Sequence, residues 1–499
     1  MVRSETVQIG ELIKDWPCTM KGSIRVEIKR VEDDANLILP GDAFIARKGN
    51  KSSGISYIDS ALEKGAAAIV VDDENYFNEA DLPVPIIWVP NCLSFIAYAS
   101  AKIYNFPAEA LTVIAVTGTN GKTTVTHFIG QILNQLDKRT MVIGTNGVFI
   151  DQEKCYPEME ALTTLQAKNI QFLFKEAIRL DVPYVVLEAS SIGLEKHRLD
   201  HCDIDIGIFL NVTEDHIEDH GSFERYKLSK QILSTLAKKN IINSDDSVCR
   251  SIGLATKGKR IFFGKGSHVD YFFQTLVDGP ASTTCCIQHK KEKHIVNIPL
   301  VGDYQCSNVL AAISCVAQLD FPLSDICNTI GNLVLPEGRF EHVKNQLGLS
   351  IVVDYAHTPD AMKMILQTLK KHTKRRLIVM FSCGGNRDKA KRPKMGMIAS
   401  IYADYIILTT DNARNESPQQ INKQIREGFS SSQEYIECLN RKEAIEHALN
   451  YAEEGDTIVL LGKGHEKTQQ IGDKQKYFSD LVFVREMVRQ LEKRRLNNH

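Results

Sequence analysis

No stretch of this sequence is apolar for long enough to cross a bilayer, and its opening, MVRSETVQIGELIKDW, lacks the apolar run that a secretory leader needs. The cytosol is the expected compartment. An excess of one charge is missing too, with 60 Lys and Arg against 62 Asp and Glu and a formal net charge of −2. That balance leaves no electrostatic footprint for nucleic acid or an anionic membrane, so neither is expected as a partner. The 12 cysteines include no CxxC pair; Cys285 and Cys286 are adjacent and the rest are scattered. This pattern argues against a zinc framework and against a secreted disulfide scaffold, and free buried thiols are expected instead. With 499 residues, 43% of them hydrophobic, the chain should form several cores, and its length suggests about three domains.

What is present is organised around Thr117–Thr124, which reads TGTNGKTT. Before it, Leu111–Val116 is a β-branched run suited to a buried strand; after it, Val125, Phe128, Ile129, Ile132, Leu133 and Leu136 recur at helical spacing. Strand, glycine loop and helix together make a phosphate cradle. Gly118 and Gly121 let the backbone turn its N–H groups toward an anion, the helix N-terminus adds the positive end of its dipole, and Lys122 adds a point charge. Thr123 would reach a bound Mg²⁺. The general phosphate-loop pattern has glycine five residues before Gly121, where this chain has Val116. Taken alone the segment reads as a nucleotide site or as an ordinary glycine turn, and its strand-to-helix context favours the nucleotide.

Residues 1 to about 110 announce no chemistry; strands and helices are expected around Asp42–Ala46, Tyr57–Lys64 and Ala66–Val71. From about 111 to 337, apolar runs alternate with polar loops, which suits a mostly parallel sheet whose ligands gather at the strand carboxyl ends. Val182–Leu187 runs into Glu188, and Ile204–Leu210 runs toward His216, so two potential metal ligands share an edge with the phosphate loop. Phosphoryl transfer calls for a divalent cation there. In the last third, Ile351–Val353 leads into Asp354, Leu377–Phe381 into Gly384–Asp388, Tyr405–Leu408 into Asp411–Arg414, and Thr457–Leu461 into Gly462–Glu466. Brought to one sheet edge, two guanidiniums, an amide and a carboxylate can read an amino acid through its carboxylate and ammonium groups.

TGTNGKTT is also the wording of the superfamily of Mur ligases and folylpolyglutamate synthetases, and the chain resembles the Mur ligases, MurE type, along nearly all its length. The resemblance implies a three-domain α/β fold: an acceptor-binding domain over 1–110, a central P-loop-type mostly parallel sheet over 111–337, and a Rossmann-like amino-acid domain over 338–499. It implies an ATP- and Mg²⁺-dependent ligase that adds the third amino acid to UDP-N-acetylmuramoyl-L-Ala-D-Glu in peptidoglycan synthesis, with small molecules as its only partners and a monomer as the expected state. EASSIGL and TEDHIEDHG match family segments that give Glu188 and His216 roles as Mg²⁺ ligands, and ERYKLSKQIL places on Lys230 the lysine that the family carbamylates. The nucleotide contacts carried over are Gly118, Thr119, Asn120, Gly121, Lys122, Thr123, Thr124, Asn308, Arg339 and Asp354, with Asn308 toward adenine and Asp354 toward ribose. Acceptor contacts fall on Thr163, Thr164, Ser190 and Arg198, and amino-acid contacts on Arg387, Asn412, Arg414, Gly462 and Glu466. The DNAR segment (Asp411–Arg414) is similar to the family's DNPR, which is associated with meso-diaminopimelate, with Ala413 in place of proline.

The chain departs from the family elsewhere as well. Asp34-Ala35-Asn36 stands where the uridine-binding DSR would fall, and Leu165, Ile192 and Lys196 replace the usual proline, histidine and glutamine. These motivate one alternative, a paralogue with the same ligase machinery and a different carboxylate acceptor. A non-catalytic nucleotide-binding regulator and a folylpolyglutamate synthetase are the other two readings.

Overall fold

The computed structural model describes residues 6–49, 53–159, 162–215, 217–266 and 268–497. His216 lies outside them. The N-terminal unit is a five-stranded sheet in the order Thr19–Lys21, Ile86–Trp88, Ala68–Val71, Ala43–Ile45, Val31–Glu32, parallel except for its first pair. The PGD turn is held by Asp42, whose buried carboxylate accepts Leu39 N at 2.8 Å and pairs with Arg30 at 2.7 Å. Asp34, where the family has the aspartate of DSR, accepts Asn36 N at 2.8 Å and caps the short helix Ala35–Leu37. This unit is tied to the next by Lys168, which reaches Glu32 and, at 2.6 Å, Asp33.

The central sheet has eleven strands. Its parallel core runs Thr140–Gly144, Tyr184–Glu188, Thr112–Thr117, Ile206–Phe209, Lys239–Asn243, Lys259–Gly264, Tyr271–Asp278, and antiparallel strands flank it on both sides. Gly147–Ile150 and Glu153–Cys155 extend one edge; Thr283–His289 and Glu292–Ile298 extend the other. The β-branched strand expected before the phosphate loop sits in the middle, buried on both faces. Ile114 and Val116 point into one core with Phe128, Ile129 and Leu133 of the helix Lys122–Gln135, while Val113 and Ala115 point into the other with Leu173 and Phe174 of the helix Ala167–Arg179.

The third unit has a six-stranded sheet, Glu341–His342, Ser350–Asp354, Thr457–Leu461, Leu377–Phe381, Tyr405–Leu408, Tyr435–Glu437, parallel except for its first pair. Helices cover both faces: Pro359–His372, Lys391–Tyr402 and Pro418–Arg426 on one, Arg441–Tyr451 and Asp480–Asn497 on the other. The two helices of the second face are joined by a buried ion pair. Arg441 meets Asp480 through Nε–Oδ1 at 2.7 Å and Nη2–Oδ2 at 2.5 Å, with side chains 1% and 0% exposed. None of the cysteines is disulfide-bonded among the described residues, but Cys18, Cys155, Cys286 and Cys438 are only partly buried, which corrects the expectation of uniform burial.

The third unit docks on the second around Arg339. Its Nη2 donates to Thr123 Oγ1 at 3.2 Å, and its guanidinium lies 4.6 Å from the centre of the Tyr355 ring. Three imidazoles share this seam: burial pushes His127 down to about 4, His357 to about 4 and His465 to about 3, with Arg339 opposing protonation of each. All three are therefore neutral at pH 7.

Two stability outcomes follow. Asp480→Asn leaves the Arg441 guanidinium buried and unpaired, and is expected to cost about 3–5 kcal/mol, read as a lower urea midpoint for the third unit. The histidines have folded pKa values depressed below the unfolded 6.5, so their contribution is complete above pH 6.5 and is lost as pH falls toward 4. Urea midpoints measured from pH 7 to 4 should fall, and the slope should be shallower in His357→Asn.

Candidate active site

The phosphate-loop helix starts at Lys122, and no side chain caps it. The N-cap is Gly121, at φ +90°, so the N–H groups of the first turn have no acceptor within the helix. A Cβ at Gly121 would also lie 2.8 Å from Asn308 Oδ1. Asn211 pins the loop from the next strand end: its Oδ1 accepts Asn120 N at 2.8 Å and its Nδ2 donates to Asn120 O at 3.1 Å. Thr119 Oγ1 accepts Thr213 N at 3.0 Å and lies 3.0 Å from Tyr226 Oη.

Two lysines converge on one carbonyl. Lys122 Nζ donates to Gly118 O at 2.8 Å and to Thr119 O at 3.1 Å, and Lys230 Nζ donates to the same Gly118 O at 3.0 Å. Lys230 is 1% exposed and lies over the Tyr226 ring at 4.7 Å. Burial, reinforced by the Lys122 charge, pushes the Lys230 ammonium well below the usual lysine range. Burial lowers Lys122 as well, against the pull of Glu188 and Asp215.

Glu188 closes its strand, 1% exposed, and accepts from neutral donors: Thr123 Oγ1 at 2.9 Å, Thr145 N at 2.8 Å and Thr145 Oγ1 at 3.2 Å. It has no ion-pair partner within 4.0 Å among the described residues, so a buried carboxylate faces the loop beside a threonine hydroxyl. Hard oxygen donors of this kind suit Mg²⁺. No cluster of three or more His, Cys, Asp or Glu able to hold a metal occurs among the described residues. Thr145 was not singled out from the sequence, although its place at the end of the strand Thr140–Gly144, on the loop's own sheet edge, could have marked it.

A cavity of about 770 Å³ joins these groups to the third unit. Every residue of the phosphate loop from Thr119 to Thr124 lines it, as do Asn308, Arg339 and Asp354. Asn308 lies inside the helix Asp303–Val316, so it is not a helix cap; its Nδ2 bonds Gln305 Oε1 at 3.2 Å. Asp354 Oδ2 accepts Phe340 N and Oδ1 accepts Ala356 N, both at 2.6 Å, so the carboxylate that lines the cavity also ties the Arg339 turn to the sheet. Arg339 Nε is buried with no partner, an orphaned donor on a cavity-lining guanidinium.

From the third unit, Arg387, Asn412, Arg414, Gly462 and Glu466 all line the same cavity. Glu466 Oε2 accepts from Asn412 Nδ2 at 2.8 Å and from buried Lys463 Nζ at 3.0 Å. Arg414 donates to Gly385 O at 2.8 Å, and burial and the nearby Arg387 lower its pKa. Lys391 and His357, which line the cavity too, were missed from the sequence; Lys391 lies three residues after the GGNRD segment, and that proximity was the available signal.

The expected acceptor quartet divides. Thr163 lines the cavity, its Oγ1 accepting from Thr145 at 3.1 Å. Thr164, Ser190 and Arg198 do not line it. Thr164 Oγ1 donates to Glu188 O at 2.8 Å and accepts Ser190 N at 2.9 Å, Ser190 Oγ caps the helix Ser191–Glu195, and Arg198 Nη1 donates to Thr164 O at 2.7 Å. These three hold the segment after Glu188 against Thr163.

The sequence matches the Mur ligase middle domain over residues 116–316, the Mur ligase glutamate ligase domain over 338–464, and the Mur ligase family catalytic domain over 27–115. It is 35% identical to the UDP-N-acetylmuramoyl-L-alanyl-D-glutamate–2,6-diaminopimelate ligase of Caldanaerobacter subterraneus subsp. tengcongensis over 490 residues, 98% of this chain and 100% of the relative. It is 32% identical to the corresponding ligase 2 of Clostridium acetobutylicum over 472 residues, 94% and 97% of the two chains. A solved structure of a UDP-N-acetylmuramoyl-L-alanyl-D-glutamate–2,6-diaminopimelate ligase superposes with a TM-score of 0.68 at 30% identity, covering 98% of this chain and 99% of the other. The chain belongs to the Mur ligase family, as an ATP-dependent acid–amino-acid ligase.

Proposed function

We propose that this enzyme joins meso-diaminopimelate to the D-Glu carboxylate of UDP-N-acetylmuramoyl-L-Ala-D-Glu, cleaving ATP to ADP and phosphate, in peptidoglycan synthesis. The observation that carries this is one cavity lined both by the phosphate loop with Thr163 and by Arg387, Asn412, Arg414 and Glu466. Residues 1–110, 111–337 and 338–499 are assigned to acceptor, nucleotide and amino acid respectively.

The acceptor carboxylate attacks the γ-phosphorus and ADP leaves, giving an acyl phosphate. The amine then attacks the acyl carbon, and the tetrahedral intermediate expels phosphate and loses a proton. Lys122, the first-turn N–H groups and the unpartnered Arg339 Nε serve the phosphates, with Asn308 toward adenine and Asp354 fixing Arg339's turn. Thr163 meets the acceptor, positioned by Thr164, Ser190 and Arg198. The remaining catalytic power comes from holding acceptor, nucleotide and amine in line.

Thr123, Glu188, carbamylated Lys230 and, by resemblance alone, His216 would hold Mg²⁺, which neutralises phosphate oxygens when bound. Depressed basicity gives Lys230 the neutral amine that carbamylation requires: the nitrogen adds to CO₂, releases a proton, and becomes an anion beside the Lys122 ammonium. Selection for diaminopimelate has an electrostatic basis. Arg387 and Arg414 repel each other and welcome a substrate with a second carboxylate; lysine has none to offer.

Phosphate release should require ATP, Mg²⁺, this acceptor and meso-diaminopimelate, with kcat/KM for L-lysine lower by about 10²-fold or more. Silence with this acceptor, from enzyme that is folded and binds ATP, would sink the acceptor assignment. Lys122→Ala should lower kcat by about 10²–10³. ¹³C-bicarbonate should give a carbamate carbon signal in the wild type that Lys230→Met abolishes; an unchanged signal would remove Lys230 from the ligand set.

A further inference from the structure

The amino-acid site is built on a segment whose backbone passes through the left-handed region. Ala413 leaves φ free where proline would restrict it, while Arg414 next to it takes φ +48°, in the left-handed region. Its guanidinium also stands near that of Arg387, so charge repulsion works to separate the two loops that carry them. Something else must hold the segment in place.

One side is held by the GGNRD loop. Gly385 N donates to Asn412 O at 2.9 Å, and a Cβ at Gly385 would lie 1.9 Å from Ala413 O, so the two backbones touch. Glu416 accepts Asn386 N at 2.5 Å and pairs with fully buried Arg392 at 2.9 and 3.0 Å. The other side is held by the hairpin Thr468–Ile471/Lys474–Tyr477. Gln470 N donates to Asn412 Oδ1 at 2.9 Å, Arg414 N to Gln470 O at 3.2 Å, and Gly472 N to Arg414 O at 2.7 Å. The one side chain of the hairpin that reaches this segment's backbone is Gln469, whose Nε2 donates to Thr410 O at 2.9 Å and to Asp411 O at 3.3 Å.

We infer that Gln469 is a positioning residue for amine specificity: by holding the Thr410 and Asp411 carbonyls it fixes the DNAR segment, and with it Arg414. This rests on the assignment of diaminopimelate to the third unit. Gln469 acts through the backbone and does not touch the amine. Its effect should therefore appear in the KM for diaminopimelate and in discrimination against lysine, leaving the KM for ATP unchanged.

The test is steady-state kinetics on the full-length enzyme with Gln469→Ala, Gln469→Glu and Arg414→Ala. Gln469→Glu keeps the chain length and removes the donor, and it carries the test if Gln469→Ala does not fold. The KM for meso-diaminopimelate should rise about tenfold in the Gln469 variants, the preference over L-lysine should shrink by a similar factor, and the KM for ATP should stay within twofold. If Arg414→Ala raises the amine KM while a folded Gln469 variant leaves it and the lysine preference unchanged, the inference is overturned and the site stands. If Arg414→Ala also leaves it unchanged, the assignment of the amine to this site fails first, and the inference with it.

Discussion

One hydroxyl connects the chemistry of two domains. Thr123 Oγ1 donates to Glu188 and accepts from Arg339, so the first turn of the phosphate-loop helix, the end of the neighbouring strand and the entry to the third unit meet at a single oxygen. Each partner is constrained by where it comes from. Glu188 is delivered by a buried parallel strand, in register with Val116 of the loop strand, and Arg339 is delivered by a turn that Asp354 fastens to the third sheet. These restraints place the end of one sheet and the entry to the other at the same hydroxyl.

The surrounding groups are consistent with that geometry. A guanidinium beside protonated imidazoles would be repelled; His127, His357 and His465 are buried deeply enough to stay neutral, and Tyr355 offers its ring face in place of a counter-ion. Asp354, which fastens Arg339's turn to the sheet, accepts two backbone N–H groups and forms no ion pair within 4.0 Å among the described residues. The charge of Arg339 is thereby left for the cavity.

The parts legible in the sequence are those encoded by adjacent residues. The strand, glycine loop and helix around TGTNGKTT and the strand ends at Glu188, Asp354 and Asp411 can be read from local spacing, since burial periodicity and turn chemistry act over a few residues. Pairings across the chain cannot be read this way. Thr145 meets Glu188 because two parallel strands lie side by side, and Arg392 finds Glu416 because two loops touch through Gly385 and Ala413. The edge hairpin Thr283–Ile298 is invisible to a reading tuned to βα units, because it alternates like any strand pair and announces no site. Thr163, Thr164, Ser190 and Arg198 were legible as a group, but their division into one cavity-facing residue and three supports depends on side-chain directions that spacing does not encode.

The shared Gly118 carbonyl has a consequence for how nucleotide affinity is measured. Lys122 donates to Gly118 O and Thr119 O, and Lys230 donates to the first of these. A phosphate bound to Lys122 competes with those backbone carbonyls for the ammonium, so the measured affinity is a difference between two sets of hydrogen bonds and understates the strength of the phosphate contact itself. Conversion of Lys230 to a carbamate would end its hydrogen bond to Gly118 O and place a negative charge beside Lys122. The same covalent step that prepares a metal ligand would thus reset the electrostatic ground state from which ATP binds.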